Sequence, residues 1–273
     1  MPSAAEKRAQ FRRLHESSCF VIPNFWDVGS ARMLQSLGFK ALASSSAGFA
    51  WTQGQMDNEV TLEGKLAHLA AVCAATDLPV NADFENGFAD APEDVAINVR
   101  RALDAGVAGL SIEDMIRGPE RALYDVDMAV ARIRAARAAL DAEGSGAVLV
   151  ARAEGILVGR MDVHQALDRL VALADAGADC LFAPGLKTPE DIAAAVRAVT
   201  PKPLSVLMMT PGGTVAQLAD LGVRRISVGG SLARAAWGGF LAAAREIADD
   251  GTFAKLGAGA SGGEIARLLK PGT

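Results

Sequence analysis

Cysteine is scarce in this chain, and the pattern is not that of a covalent framework. Cys19, Cys73 and Cys180 are odd in number, widely spaced and set among apolar residues, which argues for reduced, buried thiols over disulfides or a zinc cluster. No apolar run approaches the roughly 20 residues that span a bilayer. The segment Pro2 to Arg8 also lacks the apolar centre of a secretion signal, so the expected location is cytoplasmic. Positive charge is not in excess: 27 Lys and Arg stand against 32 Asp and Glu, a formal net charge of −5. That balance argues against nucleic acid or an anionic membrane as partner and leaves a small-molecule substrate as the expectation. Histidine is as rare as cysteine. His15, His68 and His164 fall on helix-like segments or ahead of the first strand, where structural or surface roles are expected.

What the chain does have is apolar material, 51 % of 273 residues, in an alternation that repeats from end to end. Residues 4–17 read as an amphipathic helix that would plug the lower end of a barrel. Cys19 to Pro23 reads as a strand, Asp27 caps a helix through Ala31, Leu34 and Leu37, and Gly38 ends it. Ala41 to Ala43 is the next strand, and from Ser44 to Asn58 the chain is expected to be loop. Later strands are expected at Pro79 to Asp83, Gly109 to Asp114, Ala147 to Glu154, Cys180 to Ala183, Pro203 to Leu207 and Arg225 to Val228. Helices lie between them, and a long one follows from Ser231 to Ala248. About eight strand-helix units favour an α/β fold, a (β/α)8 TIM barrel, over an open doubly wound sheet. One domain is expected over 1–273, with 251–273 as a C-terminal helical extension. In that extension the glycine-rich stretch 257–263 precedes a short amphipathic helix at 264–270, too short to be stable unless docked.

In such a barrel, chemistry sits where strands end and helices have not begun. Those positions offer Ser44, Ser46, Ala47 and Gly48, whose hydroxyls and backbone N–H groups suit a carboxylate or phosphate. They also offer Asp83 and Glu85, then Glu113 and Asp114, then Arg152 and Glu154. A single acid at a strand end can be no more than a solvated turn. Three consecutive acidic strand ends with an arginine among them point to hard oxygen ligands for Mg²⁺ beside anion-binding donors. Gly229-Gly230 reads either as a phosphate turn or as close helix-strand packing.

Taken together, Phe20-Val21-Ile22-Pro23-Asn24-Phe25-Trp26-Asp27, Ser44-Ser45-Ser46-Ala47-Gly48, Asn81-Ala82-Asp83, Ser111-Ile112-Glu113-Asp114, Ala151-Arg152-Ala153-Glu154 and Ser227-Val228-Gly229-Gly230 resemble the isocitrate lyase and phosphoenolpyruvate mutase superfamily. The likeness is to its phosphonomutase-like, 2-methylisocitrate-lyase-like branch, and it covers nearly the whole chain. It implies cleavage or formation of a C–C or P–C bond next to a carboxylate, through an enolate stabilised by Mg²⁺ or Mn²⁺. It also implies a carboxylate cradle at Ser46, Ala47 and Gly48, and Asp57 on a loop over the substrate. Asp83 and Glu113 would be metal-site carboxylates, and Arg152 would bind the substrate's anionic end.

Two departures stand out. Asn81-Ala82-Asp83 replaces the usual Asp-Ala-Asp, so one carboxylate is lost, with Glu85 placed to compensate. The loop Met115 to Tyr124 contains neither the thiol nor the lysine of the family lyases, which argues against isocitrate or methylisocitrate cleavage by the usual route. Glu120, Arg121 and Tyr124 remain there as loop-borne acid or anion-binding groups. The leading expectation is a C–C lyase or an oxaloacetate-type hydrolase. The alternatives are a phosphonopyruvate-type mutase or hydrolase and an inactive oxoacid-binding member. Resemblance further implies a homodimer or homotetramer in which the last helix swaps onto a neighbouring barrel.

Overall fold

The chain is described by a computed structural model that covers residues 1–210 and 212–270. Residues 271–273 of the expected extension lie outside the described part. Nine strands pair in parallel, in the order β1-β9-β8-β7-β6-β5-β4-β3-β2. They are β1 (Phe20–Ile22), β2 (Asn24–Phe25), β3 (Leu42–Ser44), β4 (Val80–Asp83), β5 (Gly109–Glu113), β6 (Val148–Arg152), β7 (Cys180–Phe182), β8 (Leu204–Leu207) and β9 (Arg225–Ser227).

The sequence led to a single first strand from Cys19 to Pro23. Pro23 has no N–H to give a ladder, so the strand divides there. Phe20–Ile22 pairs with β9, and Asn24–Phe25 pairs with β3. The two ends of the sheet thus meet at one proline, and the sheet forms a nearly closed α/β barrel of the TIM type.

The surrounding helices are α2 (Val28–Ser36), α3 (Ser46–Thr52), α4 (Leu62–Cys73), α5 (Pro92–Asp104), α6 (Val126–Ala142), α7 (Val163–Asp175), α8 (Pro189–Val199) and α9 (Val215–Asp220). Most start on a side-chain cap that fills an orphan N–H of the first turn. Asp27 accepts from Ser30 N at 2.6 Å, and Asp125 from Met128 N at 2.8 Å. The expectation of loop from Ser44 to Asn58 fails at α3. Ser45 accepts from Gly48 N at 3.0 Å, so a serine run that reads as a chain breaker is instead a helix cap.

α1 (Ala4–Ser17) closes the bottom of the barrel. Its Phe11 is fully buried with Ile22, Ala43, Val150 and Cys180, a burial that contributes about 2–3 kcal/mol. A Cβ at Gly109 would lie 2.7 Å from Phe11 Cε1 and 2.8 Å from the Val148 carbonyl, so the plug fits because that position has no side chain. At the other end of the chain, α10 (Ser231–Asp250) exposes Trp237, Phe240, Leu241 and Ile247. A 3-10 turn, Ala254–Ala258, hangs from it through Glu246, which accepts from Ala254 N at 3.0 Å and Lys255 N at 2.7 Å. α11 (Gly262–Leu269) then returns to α2 of its own chain, where Ser36 Oγ donates to Leu268 O at 2.7 Å. No described helix is long and apolar enough to cross a membrane.

Candidate active site

At the C-terminal ends of the strands the expected groups meet, though not all in their expected roles. The ends of β3 and β4 are stitched together: Asp83 N donates to Ser44 Oγ at 2.8 Å, and Ser46 N donates to Asp83 Oδ2 at 3.1 Å. Asn24 closes the seam on the other side. Its Nδ2 donates to Ser44 O at 2.9 Å, while its Oδ1 accepts from Ser227 Oγ at 2.9 Å and Val228 N at 3.1 Å. The N–H of Gly48 is not free for a ligand, because Ser45 takes it. The Ser46 N–H is likewise held by Asp83, so the cradle expected over Ser46, Ala47 and Gly48 reduces to the N–H of Ala47 at the first turn of α3.

Arg152 organises the acids. Its Nη1 lies 2.8 Å from Asp83 Oδ1 and 3.0 Å from Glu113 Oε1, and its Nε lies 2.8 Å from Glu154 Oε1. Burial works to raise the pKa of Asp83, but Arg152, Lys65 and the Ser46 N–H together hold it below the usual carboxylate range. Glu113 is pushed well up by burial and by the charges of Glu154 and Asp83, against the pull of Arg152. Glu154 is also raised, first by burial. Three carboxylates around one guanidinium leave surplus negative charge. Arg152 thus engages protein carboxylates through Nη1 and Nε while its side chain also lines the cavity.

Glu85 is drawn out of the expected metal set. It takes a left-handed conformation, φ 47°, and its Oε2 lies 2.8 Å from Arg117 Nε in ion contact rather than in an aligned hydrogen bond. Burial pushes its pKa up to about 7, with Lys65 and Arg117 opposing. Arg117 also donates to the carbonyls of Asn58 (2.6 Å) and Val60 (2.7 Å) and stacks on Phe88. The pair thus anchors the loop that carries Asp57. Asp57 itself stands at the mouth, its pKa raised by the protein packed around it and by Asp83, while a hydrogen bond from Ser46 pulls the other way. Asp114 leaves the rim as well: it binds Arg169 at 3.0 Å and Glu154 N at 2.8 Å.

The loop after β5 does not deliver the groups expected of it. Met115 and Leu123 pair as an antiparallel bridge, and Ile116 N donates to Ala122 O at 2.8 Å. Glu120 and Arg121 are exposed at its turn, Arg121 with a positive φ, and neither lines the site. Tyr124 is buried with its hydroxyl on Asp90 and Asn86 and its ring under Arg132, so it serves packing.

These elements enclose a cavity of about 160 Å³. Ser44, Ser46, Ala47, Asp57, Asp83 and Arg152 line it as expected, and Gly229-Gly230 borders it beside Trp51 and Ser45. Sequence reasoning missed Asn24, Ser111, Ser227 and Arg225 on its floor and Leu157, Phe182, Leu207 and Met209 on its wall. The period-two rule, extended downward from the rim through Arg225 and Ser227, would have found part of the floor. Lys65 was also missed: it is fully buried on α4, its Nζ has no hydrogen-bond partner among the described residues, and its charge acts on Asp57, Asp83 and Glu85. A larger depression of about 520 Å³ lies at the opposite end of the barrel, but its Arg12 and Lys202 already bind backbone carbonyls.

Among the described residues no three His, Cys, Asp or Glu side chains form a ready-made metal cluster. The donor set at Asp83 and Glu113 nevertheless suits a hard divalent cation that keeps most of its waters, because Mg²⁺ needs only one or two carboxylates. The surplus negative charge around Arg152 favours it.

Fold and rim define the class: a parallel α/β barrel with an acid-rich site at the C-terminal ends of its strands. The phosphoenolpyruvate phosphomutase family matches residues 11–248, and the chain belongs to this family, within the phosphoenolpyruvate mutase and isocitrate lyase superfamily of lyases and mutases. It is 31 % identical over 242 residues to a Corynebacterium glutamicum protein named probable 2-methylisocitrate lyase 2, covering 84 % of this chain and 76 % of the other. A crystal structure of a Burkholderia cenocepacia J2315 protein, provisionally a lyase/mutase, superposes with a TM-score of 0.93 at 46 % identity, over 98 % of this chain and 97 % of that one. Oxaloacetate acetylhydrolase with its product oxalate gives a TM-score of 0.85 at 27 % identity, over 98 % and 94 %.

Proposed function

We propose that the chain is an Mg²⁺-dependent enzyme that breaks a C–C bond adjacent to a carboxylate in a small oxo- or hydroxyacid, by lysis or hydrolysis, through an enolate. The observation that carries this is the Arg152 cluster opening onto a small cavity beside the first turn of α3. The N–H of Ala47, at the first turn of α3, receives the substrate carboxylate. Asp83 and Glu113 would hold the ion, directly or through water, and a bound ion would supply charge stabilisation to the developing enolate. Asp57, its pKa raised by burial and by Asp83, is the acid-base group at the mouth. Arg152 holds the three carboxyl groups in place and favours the ionised form of Asp83.

A phosphonate substrate is less well served, because the wall of Leu157, Phe182, Leu207 and Met209 offers a dianion nothing. Turnover of oxaloacetate, 2-methylmalate-type acids and phosphonopyruvate, each with Mg²⁺ and with excess chelator, tests the reading. Carboxylic acids should be cleaved only with the metal, and Asp83→Ala should abolish that turnover. Full activity in chelator, or turnover of phosphonopyruvate alone, would overturn it.

We also place the chain in a reducing, cytoplasmic setting, which its three free thiols suit. The exposed apolar residues of α10 support a homodimer or homotetramer built on that helix.

A further inference from the structure

The floor of the pocket holds a cation that, among the described residues, forms no ion pair. Arg225 enters the barrel interior from β9 and is 2 % exposed. Its Nη1 reaches Asn81 Oδ1 at 3.4 Å, its guanidinium stands 6.0 Å from the ring of Phe11, and its Nε has no hydrogen-bond partner among the described residues. Among the described residues no Asp or Glu lies within ion-pair distance of it; Asp83 attracts it from further off, and Arg152 repels it. Burial pulls its pKa down, and the neighbouring Cys180 thiol, pushed up to about 11 by burial, carries no charge at neutral pH. Asn81, the side chain that an aspartate would have to replace to balance the charge, is a neutral amide. Ser205, the register partner of Arg225 on β8, is also fully buried, its Oγ without a partner among the described residues. An unpaired buried ion costs several kcal/mol, so a fold that keeps one beside a cavity keeps it for something that enters the cavity. Arg225 and Asn81 both line the same 160 Å³ space as Ser46 and Asp83.

We propose that Arg225 is a substrate-binding residue that takes a second carboxylate at the floor of the pocket, which makes the substrate a short dicarboxylate. The inference rests on the carboxylate-substrate reading above and narrows it. Arg152 is already engaged by three protein carboxylates through Nη1 and Nε, whereas Arg225 has no such partner among the described residues. A planar guanidinium matches a carboxylate with two hydrogen bonds. One arginine among neutral Asn81, Ser205 and Ser227 suits that single charge better than a phosphonate dianion. The cavity's size limits the second acid to a few carbons from the first.

The test is calorimetric binding, in Mg²⁺, of malate and 2-hydroxybutyrate, which share chain length and differ by a carboxylate in place of a methyl group. The wild-type chain should bind malate at least about tenfold more tightly, the strength of one charge-assisted pair. In Arg225→Met that preference should fall to about twofold or less, while binding of 2-hydroxybutyrate holds. The melting temperature without ligand should stay level or rise, because an unneutralised ion has been removed. The rise in melting temperature that malate gives the wild type should be lost. A purely structural arginine predicts the reverse: a lower melting temperature and an unchanged malate preference.

Malate binding that is the same in both proteins overturns the assignment. So does a wild-type chain with no preference between the two acids, a measurement that stands even if the variant fails to fold. If the wild type binds neither acid, the carboxylate reading falls and takes this one with it. If it binds both but Arg225 is indifferent, only this one falls.

Discussion

Arg152 is the residue on which the rim's balance depends. Replacing it with Met strands Asp83, Glu113 and Glu154 without their shared cation, and breaking a buried pair from one side costs about 3–5 kcal/mol. Urea unfolding of Arg152→Met at pH 7 should show a loss of that order, shrinking at acid pH as the carboxylates take up protons.

Glu85 gives a prediction of opposite sign. Its pKa rises from 4.5 unfolded to about 7 folded, so between those values the folded state holds more protons and stability falls as pH increases. Below pH 4.5 the penalty is absent, and above 7 it is complete. Glu85→Gln should therefore gain about 2–3 kcal/mol relative to wild type on going from pH 5 to pH 8, measured by urea titration at both. A constant difference would mean that Arg117 keeps Glu85 charged throughout.

Much of this scale was legible beforehand. Ser44, Ser46, Asp83 and Arg152 were visible because strand ends announce themselves by where apolar runs stop. Arg225 and Lys65 were not, because a cation in the middle of a strand or helix looks solvent-exposed until the neighbouring elements are in place. Glu85 misled for a related reason: a period of two holds only while the strand lasts, and β4 ends at Asp83.

Among the elements, the helices and strands followed their caps and apolar periods closely, and both exceptions are local chemistry. Pro23 divides a strand because it has no donor, and Ser45 starts a helix because its hydroxyl accepts. The relation between α1 and the barrel yields a sharper test. Gly109→Ala places a methyl group against Phe11 and against the Val148 carbonyl, which is backbone and cannot swing aside. Overpacking of this kind costs about 1–3 kcal/mol. Chemical denaturation should show that loss, and Gly109→Ala combined with Phe11→Leu should recover part of it, since the smaller plug leaves room. Additive losses would mean that α1 and β5 do not press on each other.

At the level of the whole molecule, α10 stands out from the barrel with Phe240 59 % exposed and Trp237, Leu241 and Ile247 also accessible. A second copy of the chain is the partner we propose for it. Light scattering at micromolar concentration should give a dimer or tetramer, and a monomer would refute the proposal. A chain ending at Asp250 should keep the oligomer, because α11 finds its seat on α2 of its own barrel. Dissociation on truncation would mean that the 3-10 turn or α11 contributes to the contact. The sequence pointed to α10 through its large aromatics beside small residues. It pointed the last helix at a neighbouring barrel, whereas α11 seats on α2 of its own chain; an eight-residue amphipathic helix fits any apolar groove of the right width.

The seam at Pro23 carries a consequence for the order of events during synthesis. Asn24 is among the first pocket residues to leave the ribosome, and its partners Ser227 and Val228 are among the last. Arg225 arrives with them. Until about residue 230 has emerged, the nascent chain has the acids of the rim and the wall but not Arg225 and Ser227, the part of the floor that closes the circle. A ligand bound through those late residues cannot guide the early strands together and can only reward a barrel that has already closed.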